Sequence, residues 1–202
     1  MPSFRLAPLA AAALIAIGVS ASPAKAEPRE FTLDPEHISI GFLVHHLGLA
    51  DVLGMFREAS GSFVYDEEAN TVSDVEITIQ TASVFTNHER RDEHLRGPDF
   101  LNVKEYPTMT FTADEAVKTG ESKAKLKGEL TMLGVTKPLT LDVTYKGGTF
   151  YPFGDGHYAV GISARGTVKR TDYGMTYAAA NGWVGDEIHL IIEFEAKRQE
   201  EE

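Results

Sequence analysis

The sequence predicts an all-β fold of eight antiparallel strands, closed as a barrel or packed as a two-sheet sandwich, with one short helix near an end. Three observations carry this. Apolar residues recur at every second position through much of the chain, short turn sequences separate the runs, and one polar segment breaks the rhythm with helix start and stop signals.

The first 26 residues stand apart in composition. Arg5 precedes an apolar stretch from Leu6 to Val19, Pro23 breaks it, and Ala24 and Ala26 hold the small-residue positions that a signal peptidase reads. The stretch contains Pro8 and falls short of the roughly 20 apolar residues that span a bilayer. Residues 1–26 are therefore expected to be a secretory signal cleaved before Glu27, releasing a soluble domain of residues 27–202 outside the cytoplasm.

Alternation then locates the strands in order. Residues 31–44 and 57–65 show it weakly, whereas Val75, Ile77 and Ile79 alternate cleanly with Asp74, Glu76 and Thr78. Met109, Phe111 and Ala113 alternate with threonines, and Ala124 to Met132 alternates apolar residues with lysines, Glu129 and Thr131. Leu139, Leu141, Val143 and Tyr145 form a further apolar face, 157–168 a weaker one, and Ile188, Leu190, Ile192 and Phe194 the last. Turn chemistry at 66–70, 118–120, 147–148 and 154–156 makes the connections short and the neighbours antiparallel. Ala59, Gly61, Ala113, Ala124, Gly128, Ala164 and Gly166 are small residues in phase with the apolar face. They either leave space inside a barrel or relieve bending at its corners.

Residues 82–107 are the exception. Thr86 and Glu89 fit a capping box, Gly97-Pro98 supplies a stop, and the helix between them is polar on nearly every side. Such a helix does not belong in a core and is expected across one end of the barrel, where it can act as a lid.

Composition excludes several chemistries. The 202 residues include no cysteine, so disulfides, thiolate metal sites and cysteine nucleophiles are absent. With 30 acidic against 19 basic residues and a formal charge of −11, the chain lacks the broad positive face that nucleic acid or an anionic membrane requires. His88 and His94 are six apart and lie about 120° apart around a helix, unlike the paired histidines of zinc proteases. His37, His45, His46, His88 and His94 could converge on a metal in three dimensions; ordinary hydrogen-bonded surface histidines are the favoured reading. Arg90, Arg91, Arg96 and Lys104 are the main basic concentration, suited to a polar head group or to a solvated helix face.

Four segments together resemble the YceI-like family of secreted lipid- and polyisoprenoid-binding proteins. They are Phe31 to His37 running on to Gly48, Arg91 to Leu95 with Phe100 to Phe111, Gly128 to Pro138, and Arg170 to Met175 closing with Val184 to Ile188. The resemblance implies a lipocalin-like eight-stranded antiparallel barrel in the periplasm. It further implies an apolar cavity holding a long isoprenoid (quinone or polyprenyl) or fatty chain, with no catalytic residues and no required cofactor. On that basis Phe42, Val44, Phe63, Ile77, Phe111, Leu130, Leu141 and Phe194 are expected to contact the tail. His45, Arg91, His94 and Tyr173 are expected near the head group. A histidine-based metal enzyme and a fully packed interaction barrel are the alternatives. No nucleic acid, stable membrane insertion or bound metal is expected.

The intact mass of the exported protein should correspond to a chain beginning at Glu27; retention of the first 26 residues would contradict both the cleavage site and a soluble product.

Overall fold

The computed structural model describes residues 27–200, so the expected signal segment lies outside the described residues. Ten strands follow one another: β1 (Arg29–His46), β2 (Ala50–Phe56), β3 (Ala59–Asp66), β4 (Thr71–Gln80), β5 (Val84–Phe85), β6 (Thr108–Lys118), β7 (Lys123–Met132), β8 (Val135–Phe150), β9 (Tyr158–Lys169) and β10 (Val184–Arg198). Helix α1 (Glu89–Arg96) falls between β5 and β6. Eight strands close a barrel in the order β1-β3-β4-β6-β7-β8-β9-β10, with β10 pairing back onto β1. This is the expected antiparallel barrel, and the sandwich is excluded by the closure.

Two strands were not expected. The upper half of β1, from Ile40 to His46, pairs with β2 rather than β3, and β2 pairs in turn with β5. The two add a flap to one rim. Its reversal is a tight turn at Leu47-Gly48, both with positive φ (54° and 72°), and Leu133-Gly134 turns β7 into β8 in the same way (53° and 71°). Such turns favour Asn-Gly or Asp-Gly, so leucine at the first position hides the hairpin signal. The alternation of β2 is hidden too, because Leu53 and Met55 are exposed apolar residues and the inward position opposite Phe42 is a glycine. A Cβ on Gly54 would lie 2.2 Å from the Phe42 ring, so this glycine makes the seat for that ring.

The helix begins later than expected. His88, not Thr86, is its N-cap, and the His88 ring nitrogen accepts the Arg91 backbone N–H. Thr86 instead donates its hydroxyl and its backbone N–H (2.8 Å) to the buried carboxylate of Asp92. The capping-box spacing is present, but a buried acceptor deeper in the helix captures the threonine. Arg96 ties the helix to the flap by donating to the carbonyls of Ala82 (2.8 Å) and Val84 (2.9 Å). Part of the basic cluster therefore holds structure together.

The small inward residues divide between both readings. Ala124 and Ala164 line open space. A Cβ on Gly128 would meet the Thr112 carbonyl at 2.3 Å, so this glycine permits close strand approach, as the bending reading expects. Ala113 is buried but does not line the interior cavity. The β6–β7 ladder shifts register between Thr112 and Glu115, and beyond it Ala116 and Lys118 take over the inner face.

The β1–β10 seam has its own repair. Their ladder is interrupted between Leu33 and Ile38. There the buried Asp34 accepts the Glu36 N–H (3.0 Å), sits 2.9 Å from His37 Nδ1 and 3.3 Å from Lys197 Nζ on β10. Burial pushes the Asp34 carboxyl up, but its bonds to His37, the Glu36 N–H and Lys197 outweigh burial and hold it below its ordinary value of 3.8. The bond to Asp34 raises the His37 imidazole above 6.5.

The lowered carboxyl contributes stability present above its ordinary range and lost as pH falls through its lowered value. The raised imidazole contributes stability present below its ordinary value and lost as pH rises through its raised value. Thermal melts followed by circular dichroism should therefore show both limbs flanking a maximum between the two ordinary values, and Asp34→Asn should flatten both. Unchanged limbs in that variant would remove the clamp from the account.

Candidate binding cavity

Because each strand alternates and the sheet closes, the apolar faces of all eight barrel strands point at one another. They enclose a cavity of about 680 Å³. That lies inside the range typical of ligand pockets, and at about 30 Å³ each it admits on the order of twenty water-sized groups. The wall is built by in-phase residues such as Ile40 and Phe42 on β1, Leu139 and Leu141 on β8, and Leu190 and Ile192 on β10. The interior is thus not the filled core of a packed barrel.

Eleven of the twelve expected site residues line this space: Phe42, Val44, His45, Phe63, Ile77, Arg91, His94, Phe111, Leu130, Leu141 and Phe194. Tyr173 does not. It is buried at the end of a short 3-10 turn, Arg170–Tyr173, and burial raises its phenol above the ordinary range. The aromatic that reaches the mouth from this segment is Tyr177, which packs against His94 (ring centroids 4.9 Å apart) and Phe100 (5.3 Å). Sequence offered no periodicity to find it, since 174–183 is an irregular loop.

The two ends of the cavity differ. At one end α1 lies across the mouth, contributing Arg91, His94 and Leu95 to the lining, with Phe100 and Leu101 following it. Arg91 is held by Thr86, donating Nε to its hydroxyl (2.7 Å) and Nη2 to its carbonyl (2.8 Å). His94 Nε2 lies 2.8 Å from Asp99 and His45 Nδ1 2.9 Å from Asp51. A register shift between Val44 and His46 lets the adjacent rings of His45 and His46 both reach this rim, although strict alternation would part them. Arg170 also lines this end.

The opposite end is lined by phenols. Tyr65 donates to Asn70 (3.0 Å), and burial raises the phenols of Tyr65 and Tyr145, with Tyr158 adding to the effect on Tyr145. Both tyrosines are in phase with inward residues on their strands, Phe63 and Val143, and that phase was the available signal.

His45, His46 and His94 share the α1 rim, but among the described residues no histidines there reach metal-ligand spacing as a group of three. His37 is on β1 roughly 25 Å of strand from His45, while His88 caps the helix and His94 holds Asp99. The grouping with metal-ligand spacing among the described residues is Asp34, His37 and Glu195 at the seam, where Lys197 already approaches Asp34.

The YceI-like domain profile matches residues 31–196. The chain belongs to the YceI-like family. It is 40% identical over 188 residues to a UPF0312 protein of Pectobacterium carotovorum, covering 92% of this chain and 95% of that one. A UPF0312 protein of Photorhabdus laumondii is 37% identical over 184 residues, covering 91% and 93%. Among solved structures, the YceI protein of Campylobacter jejuni superposes with a TM-score of 0.69 at 35% identity, covering 77% of this chain and 90% of that one. A polyisoprenoid-binding domain from Saccharophagus degradans gives 0.59 at 13% identity, covering 86% and 100%, a likeness of fold. The YceI-like barrel is accordingly the architecture of this chain. Among the described residues, no helix is long and apolar enough to cross a membrane.

Ala124→Phe should fill cavity space with little loss of stability while reducing uptake of a long-chain ligand. Ala113→Phe, pressed against Gly128, should cost about 1–3 kcal/mol from overpacking. Chemical denaturation and ligand binding on the two variants check this; a strongly destabilised Ala124→Phe would deny the open space.

Proposed function

We propose that the protein is a non-catalytic carrier that holds one long apolar chain, isoprenoid (quinone or polyprenyl) or fatty, in its barrel and works in the periplasm. The observation that carries this is the continuous apolar cavity running between two polar ends. Each buried methylene is worth about 0.8 kcal/mol, so a long chain that is nearly insoluble in water gains strongly from such a tube. Family membership and the shared fold of a polyisoprenoid-binding domain support the same reading.

In this account Phe42, Val44, Phe63, Ile77, Phe111, Leu130, Leu141 and Phe194 contact the tail, and His45, Arg91 and His94 stand near the head. The barrel needs no cofactor for that task. The acidic exterior keeps the loaded carrier soluble and off anionic surfaces between donor and acceptor.

Organic extraction of protein purified from the periplasm should release a long-chain lipid in about equimolar amount. The stripped protein should melt lower and recover when the lipid is returned, since a ligand at about 100 times its Kd stabilises by about 2.7 kcal/mol. Equal melting of stripped and loaded protein, with no lipid in the extract, would contradict the carrier.

A further inference from the structure

The outer rim at the α1 end departs from the rest of the surface in charge and in apolar exposure. No Asp, Glu, Lys or Arg occurs from Tyr173 to Gly185, and Asp51 is the only one from Ile38 to Phe56, in a chain where 24% of residues are charged. Asp51 is in turn bonded to His45 (2.9 Å). The two stretches meet at the mouth. Leu47 at the hairpin tip donates its backbone N–H to the Trp183 carbonyl (2.9 Å), and Tyr177 packs against His94 of α1. Along this junction Leu49 is 83% exposed, Leu53 and Trp183 are 58% exposed, and Leu47 and Tyr177 are half exposed. Single exposed apolar residues are ordinary on a protein surface, whereas a cluster of them marks a contact.

Packing does not account for Leu47. It and Leu133 open matching Leu-Gly turns at positive φ, a conformation that disfavours a leucine side chain. Leu133 packs against the core, whereas Leu47 stands half exposed beside Leu49. The backbone of the same rim is closed on itself. The N–H groups of Leu49, Gly182 and Val184 donate to the carbonyls of His46 (3.0 Å), Ala179 (2.9 Å) and Ala178 (3.2 Å), and that of Trp183 donates to the Asn181 side-chain oxygen (3.2 Å). Donors already bonded within the chain can leave water without loss, which is the condition for entering the head-group layer of a bilayer. A protein partner makes no such demand, because it can supply hydrogen bonds of its own.

We propose that the hairpin tip and the 173–185 loop form a docking edge on which the protein rests reversibly against a bilayer of zwitterionic lipids, with Leu47, Leu49, Leu53 and Trp183 entering the head-group layer. The leucines supply apolar area, and Trp183 and Tyr177 have the amphipathic rings that settle at a membrane interface. Charge selects the surface. The edge carries almost nothing charged to desolvate, while the excess of acids elsewhere keeps the chain off anionic lipid. Tyr177 and Val184 of the same loop line the cavity, so docking sets the α1 mouth against the membrane. The edge gives the proposed carrier a place to load and unload, but it rests on the rim and not on what fills the cavity.

Trp183 is the chain's one tryptophan, so its fluorescence reports on the edge directly. The mature protein is mixed with vesicles of phosphatidylcholine, of phosphatidylglycerol, and of phosphatidylcholine brominated on its acyl chains. Trp183 emission should shift to the blue on phosphatidylcholine and be quenched by the brominated lipid, with weaker binding to phosphatidylglycerol. Leu49→Glu should weaken vesicle binding about tenfold or more, as the loss of one buried leucine supplies. Leu47→Asn suits the turn, so it should weaken binding while the melting temperature holds or rises. No shift on any vesicle, tighter binding to phosphatidylglycerol, or full binding by both variants would overturn the docking edge and leave the carrier standing. A blue shift that grows with protein concentration in the absence of vesicles would also overturn it, because a second copy of the chain would then cover the edge. Absence of lipid from organic extracts, by contrast, would overturn the carrier and not the edge.

Discussion

Pairing of the first barrel strand with the last is the constraint on which the rest depends. An open eight-stranded sheet would carry two edges of unpaired backbone groups and an apolar face with nothing opposite it. The β1–β10 ladder, from Phe31 opposite Arg198 to His46 opposite Val184, removes both edges and turns that face into an interior. Eight strands set a circumference that side chains can fill or leave open for one ligand. Alanines at positions 124 and 164 are among the wall residues that leave room. The cavity, its two mouths and the helix across one of them are consequences of closure.

Closure requires departures from a regular ladder. Register shifts on β1, β3, β6 and β8 bend the strands and re-aim the side chains that follow. On β6 the shift brings Ala116 and Lys118 inward, and on β1 it frees Asp34 and His37 to clamp the seam. Glycine serves the same end at position 128, where any side chain would strike the neighbouring backbone. At the mouth, order comes from side chains reaching carbonyls: Arg96 secures the helix to the flap, and Arg170 secures the 170–185 segment. Both mouth elements are thereby fixed beside the opening.

The barrel was legible in the sequence because alternation reports which face a residue occupies. Phe63, Leu130, Leu141 and Phe194 reach the cavity on that ground, each in phase within its strand. Whether the strands closed was not legible from alternation, which looks alike in a sandwich and a barrel. The flap was missed because Gly54 stands at an inward position and Leu53 and Met55 at outward ones, reversing the usual pattern. The helix start was misplaced because Thr86 satisfies Asp92, a contact that local spacing does not encode. At the mouth, Tyr173 and Tyr177 lie four apart in an irregular segment, and only the folded loop decides which one meets the cavity. Arg170 is a charged residue in the same run; its burial follows from carbonyls contributed 5 to 15 residues further on.

The barrel's interior is proposed as a place for one long lipid chain. Native mass spectrometry of the protein purified from its own periplasm, without organic solvent or detergent exchange, tests it most directly. The account predicts a principal species heavier than the polypeptide by the mass of one lipid, with the increment lost on collisional activation or extraction. A spectrum holding bare polypeptide alone, under conditions that preserve other non-covalent lipid complexes, would contradict it.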